Sequence, residues 1–233
     1  MSKYSLDPIA ANCYPGTTVL VNKFGIRDDE KLLKAEIAIT QEAAARWEQS
    51  PQFGSFDFAH YKAIHKHLLE DLYDWAGQVR DVNISKKGTR FCPYGEIEGQ
   101  AERIFARLLN KDCLRGLTKG RFVSEFVDLY VATNYLHPFR EGNGRAQRLF
   151  LSQLARNAGY NLDFADIGVD ELMIATIHSS QGVINGLSRI FTKAIKEPQK
   201  KSLSEKIQQA RTHVEYEETF HPARKGKSKG PER

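Results

Sequence analysis

The sequence predicts an all-α fold, a helical bundle that carries one short β-hairpin, and three observations predict it. Apolar residues recur at three- and four-residue spacing through most of the chain. Capping residues and glycines punctuate these runs. Only between Gly77 and Ile97 does the pattern change to alternation.

The elements follow in order. Residues 28–47 begin with acids, which suit a helix N-terminus, and carry Leu32, Leu33, Ile37 and Ile39. Asp57 is the expected N-cap of a helix whose stripe runs Tyr61, Ile64, Leu68, Leu72, Trp75 and closes at Gly77. Val82 and Ile84 alternate with polar neighbours, and SKKGTRF supplies a turn before Phe91, so 82–91 is the hairpin. A hairpin alone is marginal in water, so it must lie against the helices. Ile97, Ala101, Ile104, Phe105 and Leu108 form the next helical stripe, and Phe122, Phe126, Leu129, Tyr130, Thr133 and Leu136 the one after it. A helix is expected from Ala146 to a stop at Gly159, and another over 170–191, broken or weakened near Gly182 and Gly186. The domain is expected to span 1–196, with a polar, basic and largely disordered tail over 197–233 that holds one short helix at 203–211.

Composition narrows the function. The 233 residues are 41% hydrophobic, and no stretch is apolar enough to span a bilayer, which argues against a membrane partner. Cys13, Cys92 and Cys113 show no paired spacing, so a cytoplasmic location is expected. Of the formal charge of +5, four units fall from Lys196 onward, where ten Lys/Arg meet six Asp/Glu. A nearly neutral body with a basic tail argues against direct nucleic-acid binding by the fold.

The chemistry concentrates in 136–148, LHPFREGNGRAQR. Pro138 discourages helix through His137, and periodicity resumes at Ala146, so the loop ends at a helix N-terminus that favours an anion. Gly142 and Gly144 allow positive φ and close wrapping of backbone round a phosphate, and Asn143 adds an amide donor. Arg145 and Arg148 lie three apart on one face, where their planar forks suit two phosphates. Glu141 is placed to hold a divalent cation, because Mg²⁺ favours one or two carboxylates plus phosphate oxygens. His137 titrates nearest neutrality and is the natural general base. Each has a plainer reading as a turn, a helix-terminal acid, a solvated face or a packed histidine. Spacing alone does not name the reaction. His65 and His67 are two apart on different helix faces, so they are poor co-ligands, and His65 reads as structural.

HPFREGNGR followed by AQR resembles the Fic (filamentation induced by cAMP) signature HxFx(D/E)GNGRxxR at every defined position. YPGTTVLVNKFGIRD, IHKHLLEDLYDWAGQVRDVNI, the hairpin and LARNAGY are similar to Fic proteins too, so the resemblance covers roughly 14–195. It implies the Fic fold, with the hairpin as a flap beside the active site. It also implies a protein adenylyltransferase that moves AMP from ATP to a Ser, Thr or Tyr hydroxyl of a target protein. His137 would be the base, and Glu141 would hold Mg²⁺ as cofactor. Gly142, Asn143 and Gly144 would form the anion hole, with Arg145 on the β-phosphate and Arg148 on the γ-phosphate. Lys62 and Ala63 would border the nucleotide, and Lys86, Gly88, Thr89 and Phe91 would dock the target on the flap by strand addition. In the death-on-curing subgroup, which phosphorylates, a Lys replaces the third nest residue; here Gly144 stands there, which favours adenylylation. The inhibitory helix [S/T]xxxE[G/N] of many relatives is missing, since Ser228 to Glu232 has the spacing but is followed by Arg233 and contains Pro231. The resemblance therefore implies a class I toxin restrained by a separate small antitoxin bearing that helix, with DNA gyrase or topoisomerase IV as target. UMP or phosphate transfer, and a catalytically silent binding module, are the alternatives.

Overall fold

In the computed structural model the described residues are 5–7, 12–49, 54–86 and 89–197. The tail beyond 197, with the expected helix at 203–211, lies outside them, as does Gly88. Seven helices carry the body: α1 (Asp29–Gln49), α2 (Phe58–Leu69), α3 (Ile97–Asn110), α4 (Lys119–Leu136), α5 (Asn143–Asn157), α6 (Val169–Ser179) and α7 (Asn185–Ala194). Three strands, β1 (Ser5–Asp7), β2 (Asn83–Lys86) and β3 (Thr89–Arg90), form one antiparallel sheet in the order β1-β2-β3. The mostly helical fold with a flap hairpin agrees with the expectation; β1, which closes the outer edge of the hairpin, was not anticipated.

Helix α2 lies at the centre, packed between α1 and α5, and α4 packs on α3, α5 and α7. Asp57 caps α2 by accepting from the His60 N–H at 2.8 Å. The core is aromatic: Tyr61 meets Phe105, Phe139 and Phe150 with centroids 5.2–5.6 Å apart, and all four rings are buried. Such burial, with edge-to-face and stacked geometry, makes α2 the rigid floor under the motif.

Two boundaries and one buried face differ from the sequence reading, and one expected break is present. Helix α2 stops at Leu69, because the Leu72 and Tyr73 N–H groups both turn back to the Leu69 carbonyl. Leu72 and Tyr73 are still buried, but as turns that bring Trp75 and Gly77 beneath the motif. Helix α5 begins at Asn143, three residues earlier than the periodicity showed. In α1 the buried face is Leu32, Glu36, Thr40 and Ala43, while Leu33 and Ile37 are exposed, so a carboxylate rides the core stripe. The 170–191 segment breaks at Gly182, whose φ is +84°, into α6 and α7.

Candidate active site

The motif loop joins α4 to α5. His137 ends α4 in the left-handed region (φ 38°, ψ 59°), its N–H still bonded to the Thr133 carbonyl at 3.2 Å. Gly142 opens α5 at φ +79°. A Cβ there would stand 2.4 Å from Leu69 Cδ1 and 3.2 Å from His65 Nε2, so both conformation and space demand glycine. Gly144 differs from expectation: it lies inside α5 without positive φ, and a Cβ would press on Arg148 Nη1 at 3.3 Å. The N–H groups of Asn143 and Gly144 open the helix where no carbonyl lies one turn back within it, the kind of end that suits an anion. The Asn143 side chain has another task than the expected amide donor. Its Oδ1 accepts from the Phe139 N–H at 2.8 Å and its Nδ2 donates to the Phe139 carbonyl at 2.7 Å, which closes the loop into a ring.

His137 is buried and stacked on Phe91, ring centroids 3.7 Å apart and 14° from parallel. Burial holds its pKa down to about 3; the Asn134 carbonyl pulls upward, and the charges of Arg80 and Lys86 push down again. The ring is neutral at physiological pH. With Nδ1 2.9 Å from the Asn134 carbonyl, the proton sits on Nδ1 and the lone pair on Nε2, the tautomer a general base requires. Arg80 fixes this arrangement. Its buried guanidinium donates to the carbonyls of His137 (2.9 Å), Val82 (2.6 Å) and Cys92 (2.5 Å), and its own N–H donates to the Pro138 carbonyl. One side chain thus ties His137 to both ends of the hairpin.

On the other side of the loop, Glu141 is buried. Its Oε1 accepts from the Gly142 N–H at 3.0 Å and lies 3.5 Å from Arg145 Nη2. Arg145 pairs directly with Glu36 of α1, and Tyr73 donates its hydroxyl to the other Glu36 oxygen at 3.0 Å. Burial, then the Glu36 charge, raises the Tyr73 pKa, so it remains a donor. His65 buttresses the loop from below: its Nε2–H donates to the Glu141 carbonyl (2.8 Å) and its Nδ1 accepts from the Gly77 N–H (2.9 Å). The acceptance at Nδ1 needs the neutral ring, which stacks on Phe139 at 3.7 Å and which burial holds down to about 4. Arg145 and Arg148 both spring from the first turns of α5 but part, Arg145 toward Glu36 and Arg148, exposed, beside Gly144.

The remaining expected residues are placed less uniformly. Phe91 and Lys86 of the hairpin reach His137 by stacking and by charge. Thr89 and Phe91 line a recess of about 540 Å³ that continues to Asn134 on α4 and Ile177 and Ser180 beyond it. Lys62 engages the Phe58 ring (4.8 Å) and Glu98 (4.0 Å) instead of the motif loop, and Ala63 is exposed. Glu36 and Arg80 are the site residues that reasoning from sequence missed; His65, read there as structural, buttresses the loop.

A family model described as Fic/DOC matches residues 55–155. A probable protein adenylyltransferase Fic of Salmonella typhimurium is 39% identical over 79% of this chain and 91% of its own length. This chain belongs to the Fic/DOC family. The Fic protein of Escherichia coli, also a probable protein adenylyltransferase, is 36% identical over the same shares. Among solved structures, the Bartonella tribocorum effector protein BepC with bound AMPPNP is similar at a TM-score of 0.75 and 29% identity, over 81% of this chain and 97% of that one. Residues 137–148, the segment just described, fall within the matched span. Among the described residues no helix is long and apolar enough to cross a membrane.

Proposed function

We propose that this chain is a protein adenylyltransferase, transferring AMP from ATP to a side-chain hydroxyl of another protein. The observation that carries the reading is His137, held neutral with its lone pair on Nε2, on the same short loop as the N-terminus of α5 and Arg145. Nε2 takes the proton of the target's Ser, Thr or Tyr hydroxyl. That oxygen bonds to the α-phosphorus, the bond from phosphorus to the α,β-bridging oxygen breaks, and pyrophosphate leaves. A base of pKa near 3 is weak, but an approaching triphosphate raises it by its negative charge. Phosphoryl-type transfer depends more on positioning and charge neutralisation than on basicity. The N–H groups of Asn143 and Gly144 cradle phosphate oxygens, with Arg145 on the β-phosphate and Arg148 on the γ-phosphate.

Glu141 is the carboxylate that would hold Mg²⁺. No group of three or more His, Cys, Asp or Glu gathers among the described residues, so the metal would take its other ligands from phosphate and water, the usual habit of Mg²⁺. When bound it neutralises phosphate charge. The hairpin docks the target segment, and Thr89 and Phe91 line a recess that reaches Asn134.

The finer reading is a cytoplasmic toxin restrained by a small antitoxin with an [S/T]xxxE[G/N] helix, acting on DNA gyrase or topoisomerase IV. Support for external restraint is the lack of that sequence in the chain. The test is incubation with α-labelled ATP in bacterial lysate and with purified gyrase and topoisomerase IV. Label should enter protein with the parent and not with His137→Ala. Label entering from γ-labelled ATP or α-labelled UTP instead would replace AMP as the transferred group. Unchanged labelling by His137→Ala would end the catalytic assignment.

A further inference from the structure

The flap is not an open edge. Strand β1 lies antiparallel along β2, with Ser5 opposite Ser85, Leu6 opposite Ile84 and Asp7 opposite Asn83. On its other side β2 pairs with β3, and the Phe91 N–H donates to the Ile84 carbonyl at 3.4 Å. In a strand the N–H and C=O of one residue point to the same side and those of its neighbours to the other. Ile84 therefore faces β3, and Asn83 and Ser85 present their backbone groups to β1. The pairs Ser5–Ser85 and Asp7–Asn83 carry the hydrogen bonds.

The other edge of the hairpin offers a partner much less. Strand β3 contributes two paired residues, and the chain beyond it is committed to the body. Phe91 stacks on His137, the Cys92 N–H donates to the Tyr135 carbonyl, and the Cys92 carbonyl accepts from Arg80. A peptide adding to this sheet has one run of sufficient length, the β2 edge, and a segment of the same chain lies on it. Exposed edges invite strand addition, and covering one with a short strand is a way to prevent it.

We propose that β1 is a built-in stand-in for the target: it occupies the β2 edge on which the target segment docks, and the target must displace it. This rests on the reading of the chain as an adenylyltransferase whose flap receives the target. The inference also specifies the substrate segment, an extended stretch running antiparallel to β2 that places one residue opposite Ile84 and pairs its neighbours with Ser85 and Asn83. Ile84 is buried while Asn83 is exposed, so the edge calls for an apolar residue between two polar ones, as in Ser5-Leu6-Asp7. A three-residue pairing is short enough for a longer strand to replace it.

The test uses the full chain with Ser5→Pro, which removes the N–H that pairs with Ser85 and leaves the motif untouched. Amide hydrogen exchange should quicken at residues 83 and 85. Incorporation of label from α-labelled ATP into lysate protein should rise about fivefold, the factor that the one net hydrogen bond removed is worth. ATP affinity should stay unchanged. A synthetic peptide of residues 1–11 added in trans should suppress the gain. Unaltered exchange at 83 and 85 would overturn the occupancy. Faster exchange with no gain in labelling, or a gain that the peptide leaves intact, would overturn the competition. If exchange quickens but parent and variant are both inert with labelled ATP, the adenylyltransferase reading is what has failed, and the stand-in role falls with it.

Discussion

Lowering the pH from 7 to 5 should destabilise this protein through two histidines that the fold needs neutral. Unfolded, each titrates near the ordinary histidine value of about 6.5. Folded, His65 is held down to about 4 and His137 to about 3, burial being the main cause in both. Between the folded and unfolded values the unfolded chain binds the extra protons, so stability falls as pH falls below about 6.5. At pH 5 each group costs about 2 kcal/mol, from 1.36 kcal/mol per unit over the roughly 1.5 units below the unfolded value. The pair therefore removes about 4 kcal/mol, a large part of the 5–15 kcal/mol typical of a domain. For a domain of this size that lowers Tm by about 8–16 °C. The structural cause is specific at His65, whose Nδ1 cannot accept from the Gly77 N–H once protonated. Thermal melts or urea titrations at pH 7, 6 and 5 measure it, and His65→Gln should lose about half of the pH-dependent drop. A Tm that stays flat from pH 7 to 5 would refute the neutral buried assignment of both rings.

Three further outcomes are expected. Gly142→Ala combines a left-handed φ with a Cβ 2.4 Å from Leu69, so it should cost about 2–5 kcal/mol and abolish labelling; a melt within a degree of the parent would contradict this. Arg80→Lys keeps the charge but loses the fork that serves three carbonyls, so it should fold yet lower the rate of AMP incorporation by about tenfold or more, and parent-like kinetics would show the fork idle. Glu36→Gln weakens the hold of α1 on Arg145 and lets it close on Glu141, 3.5 Å away; incorporation should drop and recover in part at raised Mg²⁺, whereas a drop insensitive to Mg²⁺ would remove Glu36 from this role.

The helical bundle, the hairpin and the motif loop were legible because each announces itself locally, by periodicity, alternation or a dense run of chemistry. What escaped depends on partners far along the chain. Glu36 lies on the helical stripe with Leu32, Thr40 and Ala43, so its inward position was readable from spacing. A carboxylate on such a stripe is ordinarily assigned to solvent, and only Arg145, 109 residues away, reverses that. His65 and Arg80 spend their donors on main-chain carbonyls, which leave no trace in residue type. Strand β1 is three residues long, too short for alternation to show. The start of α5 was hidden because glycine and asparagine are poor helix formers; the tie between Asn143 and Phe139 places it.

Arg80 has a consequence for how such a scaffold can diversify. Because one guanidinium grips the His137 carbonyl and both roots of the hairpin, the roots and His137 form a single rigid frame. The paired length of the hairpin, β2 and β3, lies between those roots. Substitutions there can change the surface that the hairpin presents while His137 keeps its orientation. Hairpin surface and His137 geometry are thus separable in inheritance, with a single arginine marking the border between what can drift and what must hold still.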